Sequence, residues 1–176
     1  QTPVERVVPK YGEFIRAYPS LRALAAAAPR DVRRMWYPLG YNARPARLHV
    51  VARETVARYG GRLPRDPEAL DRLPGIGRYT ASAVASIAFG ARLPARDTNV
   101  RRVLTRVFHG ARAVADKRLW ALAGSLVPAR RPGDFNQALM DLGALVCTAG
   151  SPRCSVCPVR RLCRARPGFI ARAFGR

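Results

Sequence analysis

Apolar side chains recur along most of this chain at the three- and four-residue spacing of amphipathic helices. In residues 1–18, for example, valine, tyrosine, phenylalanine and isoleucine side chains fall on one helical face. No segment alternates apolar and polar residues for long enough to build a sheet. The pattern therefore predicts an all-α fold with short connections.

Capping and helix-breaking residues set the boundaries of the predicted helices. Ser20 and Asp97 stand where a side chain can cap a helix start. Gly40 and the pair Gly60–Gly61 stand where helices end. The predicted helices cover 1–18, 21–28, 29–39, 43–59, 66–72, 78–89, 98–108, 116–126 and 132–147.

The stretch LPGIGRYTA, residues 73–81, joins two of these helices. We expect both of its glycines to take a positive φ, which lets the backbone turn tightly and approach a ligand. The helix after them points free N–H groups and its positive dipole end outward, which suits a phosphate. An ordinary glycine turn is the alternative. The residues expected to meet a DNA phosphate are Leu73, Gly75, Ile76, Gly77 and Arg78.

The chain carries 32 Lys and Arg against 11 Asp and Glu, a formal net charge of +21 over 176 residues. Such an excess repels itself in a compact state, so we expect a polyanionic partner. Because the charges are spread through helical segments, they favour a folded nucleic-acid-binding surface over a disordered arm. No apolar run approaches the ~18 residues of a membrane span, and no export signal is visible. We expect a cytoplasmic, nucleoid-associated monomer.

All four cysteines lie near the C-terminal end, with the spacing C-x6-C-x2-C-x5-C. Disulfides are disfavoured in a chain that has no export signal. Four thiolates suit structural zinc and suit a [4Fe–4S] cluster equally well, and spacing alone does not separate the two. The arginines in and after this loop are expected to face the same phosphates as the hairpin. The predicted metal ligands are Cys147, Cys154, Cys157 and Cys163.

Three stretches together resemble a known family: LPGIGRYTA at 73–81, DTNVRRV at 97–103, and DLGALVC at 141–147 running into the cysteine pattern. The chain is similar to the helix-hairpin-helix base-excision DNA glycosylases of the endonuclease III type, and within them to the MutY-type adenine glycosylases. The resemblance covers essentially the whole chain. It implies a [4Fe–4S] cluster rather than zinc. It also implies double-stranded DNA with a mismatched or damaged base as the partner.

The resemblance further implies a two-lobed helical fold. It assigns an N-terminal helix to 1–20, and we expect part of that helix to precede the first residue. A helical-bundle lobe at 21–112 contains the helix-hairpin-helix at 66–90. A cluster lobe at 113–176 contains the iron–sulfur loop at 147–163.

Cleavage of an N-glycosidic bond builds positive charge on the deoxyribose, and a carboxylate beside the sugar stabilises or captures that cation. The base must first leave the stack of the duplex. Asp97 matches the catalytic aspartate of the family, although an N-cap is an equally ordinary role for an aspartate before Thr98. The two roles are compatible, because a capping aspartate is held in place.

Tyr79 stands where the bifunctional lyases of the family carry the lysine that forms a Schiff base with the sugar. The resemblance therefore implies a monofunctional glycosylase that uses water, with Tyr79 and Asp97 at the catalytic site. Gln1 and Tyr41 match positions that wedge into the duplex near the everted base. The adenine enzymes also use a glutamate that protonates the base, and its matching position falls before Gln1.

Three classes of function stay open at this point. The first is excision of adenine opposite 8-oxoguanine or guanine, and its variant is a thymine or uracil glycosylase for T·G and U·G mismatches. The second is a non-catalytic DNA-binding module that keeps the hairpin and the cluster. The third is a zinc-bound structural or RNA-binding protein.

Overall fold

The computed structural model describes residues 2–40, 43–110 and 112–166 of the chain. These residues form helices and turns with no strand among them, and the prediction of an all-α fold is confirmed. The α-helices of the described residues are α1 (Val4–Ala17), α2 (Leu21–Ala26), α3 (Pro29–Trp36), α4 (Ala43–Tyr59), α5 (Pro67–Asp71), α6 (Arg78–Phe89), α7 (Thr98–His109), α8 (Asp116–Leu126) and α9 (Pro132–Asp141).

Side-chain caps explain several of the helix starts. The Ser20 hydroxyl accepts a hydrogen bond from the Ala23 N–H at 3.1 Å, at the start of α2. The Asp66 carboxylate accepts one from the Ala69 N–H at 3.0 Å, at the start of α5. These oxygens satisfy backbone donors that have no partner within the helix. The predicted starts of both helices are therefore explained by local sequence.

Two helices end three or more residues before their predicted ends, whereas the other ends lie within two residues of the prediction. Helix α3 ends at Trp36 rather than at Leu39, because Tyr37 precedes a proline and takes an extended conformation with ψ of 138°. Helix α9 ends at Asp141, and residues Leu142–Val146 continue as a π-helical turn. Its wider winding lets the Cys147 N–H bond the Leu142 carbonyl five residues back.

The first compact unit, Gln1–Gly77, holds α1 to α5. Its core gathers Leu24 of α2, Val32 of α3 and Ala52 of α4, all at most 3% exposed. Phe14 of α1 packs against this cluster. Helix α4 therefore serves as the central support of the unit, since both α2 and α3 pack on it.

The second compact unit, Arg78–Arg176, holds α6 to α9 and the cysteine loop. Its core joins Val100 and Leu104 of α7 to Leu119 and Ala123 of α8. Helix α9 crosses α6 closely, because a Cβ at Gly133 would lie only 2.9 Å from a backbone carbon of α6. Helix α7, which Asp97 caps, packs against both α8 and α9.

The boundary between the compact units falls within the hairpin stretch, after Gly77. The predicted N-terminal helix at 1–20 and the predicted lobes at 21–112 and 113–176 stay predictions. None of the described helices combines the length and the apolar character that crossing a membrane requires.

Candidate functional site

The predicted hairpin is a tight turn with one left-handed residue. The Ile76 N–H donates to the Leu73 carbonyl at 3.0 Å, and Gly75 has a φ of +81°. A Cβ at Gly75 would lie 3.2 Å from the Arg47 side chain, so a larger residue is disfavoured there twice over. Gly77 does not take a positive φ, and the prediction for that position was wrong. Gly77 directly precedes α6, where glycine is a tolerated helix-capping residue.

The side chains around this turn have different environments. Leu73 is 2% exposed, so its side chain anchors the turn in the core of the first unit. Arg78, the first residue of α6, is exposed, and its guanidinium lies 4.1 Å from the ring centroid of Trp120. Gln1 and Tyr41 lie outside the described residues.

Asp97 caps the N-terminus of α7. One of its carboxylate oxygens, Oδ1, accepts from the Val100 N–H at 2.7 Å, and Oδ2 accepts from the Asn99 side-chain amide at 3.2 Å. The predicted capping role is therefore present in the structure. A carboxylate has about four lone-pair sites, so these two bonds orient Asp97 and leave it able to face a further positive group.

Tyr79 lies in the first turn of α6 and is 39% exposed. Its hydroxyl donates to the sulfur of Met140 at 3.9 Å, a weak acceptor. Partial burial, and then the negative charge of Asp97, raise the pKa of the Tyr79 phenol above its ordinary value of 10.0. The Tyr79 hydroxyl is therefore protonated at neutral pH, since its pKa lies above 10.0.

Arg102 connects the Asp97 turn to the cysteine loop. Its guanidinium donates three hydrogen bonds of 2.7 Å, to the Asn99 side-chain oxygen, the Gly143 carbonyl and the Cys147 carbonyl. Because Asn99 also donates to Asp97, a continuous chain of hydrogen bonds runs from the first loop cysteine to the carboxylate. Charge-assisted bonds of this kind are among the stronger ones in proteins.

The segment that leads into Asp97 is held from two sides. The Ala95 N–H donates to the buried side chain of Asn136 at 2.9 Å. Arg96 has a side chain that is 10% exposed, pairs with Asp116 at 2.6 Å and lies over the Trp120 ring at 4.9 Å. Helices α8 and α9 therefore both position the residues immediately before the carboxylate.

The four cysteines line one pocket among α7, the π-helical turn and the loop. Arg106 donates to the Cys147 sulfur at 3.4 Å, and the Cys163 thiol lies 3.6 Å from the Arg106 carbonyl oxygen. Burial, and then the charges of Cys163, Cys147 and Cys157, raise the pKa of the Cys154 thiol, while Arg106 lowers it. The four sulfurs are thus mutual neighbours.

One bound group would reach all four thiols, since they line a single pocket. None of the four cysteines forms a disulfide. Zinc holds four sulfurs at about 2.3 Å from a single centre. Four thiolates also fit an iron–sulfur cluster, which when bound would tie Cys147 to the three loop cysteines.

Residues 1–126 match the HhH-GPD superfamily of base excision DNA repair proteins. The chain belongs to that superfamily. Residues 147–163, which contain all four cysteines, match the iron–sulfur binding domain of endonuclease III. The predicted helix-hairpin-helix glycosylase fold and the [4Fe–4S] cofactor are confirmed, and the choice between zinc and a cluster is decided for the cluster.

Two curated relatives of this superfamily member are adenine DNA glycosylases. The human protein is 48% identical over 171 residues, which cover 94% of this chain and 31% of that protein. The protein of Mycolicibacterium smegmatis is 49% identical over 179 residues, which cover 100% of this chain and 61% of that protein. The chain therefore spans less than two thirds of the length of these relatives.

Solved structures of the superfamily have the same fold. A thermostable thymine-DNA glycosylase superposes with a TM-score of 0.87 at 33% identity, covering 95% of this chain and 79% of that one. A non-covalent complex of endonuclease III with DNA superposes with a TM-score of 0.83 at 25% identity, covering 97% of this chain and 80% of that one.

Sequence reasoning missed the residues that hold Asp97 in place. Arg102 donates to the Cys147 carbonyl, and Asn136 accepts from the Ala95 N–H. Each of these contacts joins residues more than forty positions apart. One available signal was the spacing of Asn99, Arg102 and Arg106, which places three polar side chains on one face of an otherwise amphipathic helix.

Proposed function

We propose that the full-length protein is a monofunctional DNA glycosylase of base excision repair that removes adenine opposite 8-oxoguanine or guanine. The observation that carries the proposal is the Asp97 carboxylate, whose oxygens accept from the Val100 N–H and from the Asn99 side-chain amide. Membership of the HhH-GPD superfamily and the high identity to adenine DNA glycosylases support the choice of adenine.

The chemistry follows from the charge that the reaction develops. As the bond between C1′ of the deoxyribose and the base nitrogen breaks, its electron pair leaves with the base, which must also gain a proton. The sugar becomes an oxocarbenium-like cation, and Asp97 stabilises or captures it. Water then adds at C1′ and loses a proton, which leaves an abasic site. Because the carboxylate is hydrogen-bonded before the reaction, little reorganisation is needed when the cation forms.

Tyr79 supports a hydrolytic rather than a lyase reaction. A lyase of this superfamily needs an amine that attacks the sugar and forms a Schiff base. A phenol whose pKa is raised by burial and by Asp97 stays protonated and donates a hydrogen bond instead. We expect no β-elimination beyond the background rate of an abasic site.

The expected partner is double-stranded DNA that contains a mismatched or damaged base. The net charge of +21 and the exposed Arg78 support a polyanionic partner. A related solved structure is a complex of endonuclease III with DNA. The proposal includes a monomer that acts on nucleoid DNA in the cytoplasm.

A thymine or uracil glycosylase for T·G and U·G mismatches is the second candidate. It is favoured by the thermostable thymine-DNA glycosylase, which is 33% identical and of which the chain covers 79%. Tyr79 is compatible with this chemistry as well as with adenine excision. A non-catalytic DNA-binding module is the third candidate, and it would excise neither adenine nor thymine or uracil.

One experiment separates the three candidates. The full-length, cluster-loaded protein is incubated with duplexes that carry A·8-oxoG, A·G, T·G, U·G or only normal pairs, and alkaline cleavage reports abasic sites. We expect cleavage of A·8-oxoG and A·G duplexes at the adenine. Cleavage confined to T·G and U·G would establish the second candidate. Binding of all duplexes without an abasic product would overturn both enzymatic proposals.

A further inference from the structure

A basic pocket lies at the C-terminal end of α7, and none of the described residues that line it is acidic. Its volume is about 630 Å³, and its walls come from 109–110, 112–115, the first turn of α8 and the tail of the cysteine loop. Its basic lining residues are His109, Arg112, Arg118 and Arg164.

All three arginines of this pocket, Arg112, Arg118 and Arg164, are exposed. Within the described ranges none of their side chains donates a hydrogen bond or forms an ion pair. The nearest acidic side chain in sequence, Asp116, is instead paired with Arg96. Cations that share one concavity repel each other, so an anion bound there would relieve that repulsion.

The backbone around the pocket is anchored. The Arg164 N–H donates to the Val107 carbonyl at 3.0 Å, and the Ala165 N–H donates to the Arg106 carbonyl at the same distance. Gly110, with a φ of +68°, turns the chain away from α7. These two bonds fix the backbone of Arg164 beside the last turn of α7.

The wall of the pocket is connected to the segment that carries Asp97 by one ion pair within the same unit. Ala115 lines it, and the next residue, Asp116, holds the Arg96 side chain at 2.6 Å. Arg96 directly precedes Asp97. One ion pair therefore separates the pocket wall from the segment that carries the carboxylate.

We propose that this pocket binds the phosphodiester backbone of duplex DNA, as a contact additional to the hairpin. The inference rests on the proposed function, because it takes mispaired DNA as the partner. Guanidinium groups match phosphates with two parallel hydrogen bonds, and three of them suit successive phosphates better than one small anion. Among the described residues that line the pocket there is no phenylalanine, tyrosine or tryptophan, so these residues offer no stacking platform of the kind that single strands require.

The test is the salt dependence of duplex binding. The triple variant Arg112→Ala, Arg118→Ala, Arg164→Ala is compared with wild type by fluorescence anisotropy on an A·8-oxoG duplex over a series of NaCl concentrations. Each lost phosphate contact lowers the slope of log Kd against log salt by about 0.9, so we expect a decrease of about 2 to 3.

A matched control removes the same three charges from elsewhere. Exposed arginines that form no ion pair within the described ranges supply it, in the variant Arg53→Ala, Arg62→Ala, Arg130→Ala. The slope of this control is expected to decrease by less than about 1. A decrease in the pocket variant no larger than that of the control would overturn the inference.

The double variant Arg112→Ala, Arg118→Ala leaves the cysteine loop untouched and decides the matter if the triple variant folds poorly. Its expected decrease in slope is about 2, and a decrease equal to the control would overturn the inference. Adenine excision by wild type is measured on the same duplex. Excision with an unchanged slope in the variants overturns only the pocket, whereas a decreased slope without excision supports the pocket and overturns the proposed catalysis.

Discussion

Replacing Gly143 with alanine tests the close contact between the π-helical turn and the residues that hold Asp97. A Cβ at Gly143 would lie 2.6 Å from the Asn99 Cβ and 3.0 Å from its carbonyl carbon and oxygen. Asn99 donates to Asp97, and the Gly143 carbonyl accepts from Arg102. We expect the added methyl group to push the turn away from α7 and to disturb both hydrogen bonds.

The expected loss of stability can be worked from these distances. Carbon atoms in ordinary contact lie about 3.5 to 4.0 Å apart, so the two backbones must separate by roughly 1 Å. Overpacking of this kind costs about 1–3 kcal/mol. A lost hydrogen bond from a charged donor adds about 1.5–3 kcal/mol. The helix propensity of alanine offsets at most about 1 kcal/mol. The free energy of unfolding should fall by about 1.5–6 kcal/mol.

Thermal melting of the cluster-loaded protein measures this change. A domain of this size loses about 2–4 °C in Tm per kcal/mol, so Gly143→Ala should melt about 3–24 °C below wild type. Single-turnover excision should slow as well, because Asn99 no longer orients the carboxylate. The control is Gly124→Ala in α8, where the new Cβ meets only Pro94 at 3.9 Å and stability should hold or rise. A Gly143→Ala protein that melts and reacts like wild type would refute the reasoning.

Three further predictions concern the supports of the site and its cofactor. Asn136→Ala leaves the Ala95 N–H and the Leu93 carbonyl without their partner. Each unsatisfied group should lower the free energy of unfolding by about 1–3 kcal/mol. A urea unfolding curve that matches wild type would contradict this prediction. The Tyr79 phenol should titrate above pH 10.0, as seen by difference absorbance against Tyr79→Phe. In the Asp97→Asn variant the midpoint of the Tyr79 titration should shift to lower pH, because the carboxylate charge contributes to the raised pKa. An equal midpoint would show that Tyr79 and Asp97 do not interact. Cys157→Ser should lose iron and the visible absorption band together, and wild-type protein that contains zinc instead of iron would contradict the cluster assignment.

Local sequence was sufficient for most helix boundaries because the decisive groups act over a few residues. Ser20, Asp66 and Asp97 cap the helices that directly follow them, and their backbone partners lie within three positions. The cysteine spacing likewise indicated a metal centre, although only the match to the iron–sulfur binding domain separated a cluster from zinc.

The residues that hold the candidate site in place could not be predicted from local sequence, because their hydrogen-bond partners are distant along the chain. Arg102 is one of many arginines, and it acquires its role only when the π-helical turn brings the Gly143 and Cys147 carbonyls to α7. The apolar pattern of 132–147 is that of a regular α-helix, so it did not indicate that the helix changes to a π-helical turn after Asp141. Gly77 was assigned a positive φ on its residue type, whereas one left-handed residue, Gly75, suffices for the turn.

The central claim is that the Asp97 carboxylate stabilises the sugar cation, and Asp97→Asn tests it most directly. Asparagine keeps an oxygen that can accept from the Val100 N–H, so the helix cap and the fold should persist. The measurement is the single-turnover rate of adenine excision from an A·8-oxoG duplex, with Kd and iron content determined on the same preparation. We expect the rate to fall by at least about 100-fold while Kd and iron content are unchanged. A variant that excises adenine at nearly the wild-type rate would contradict the account.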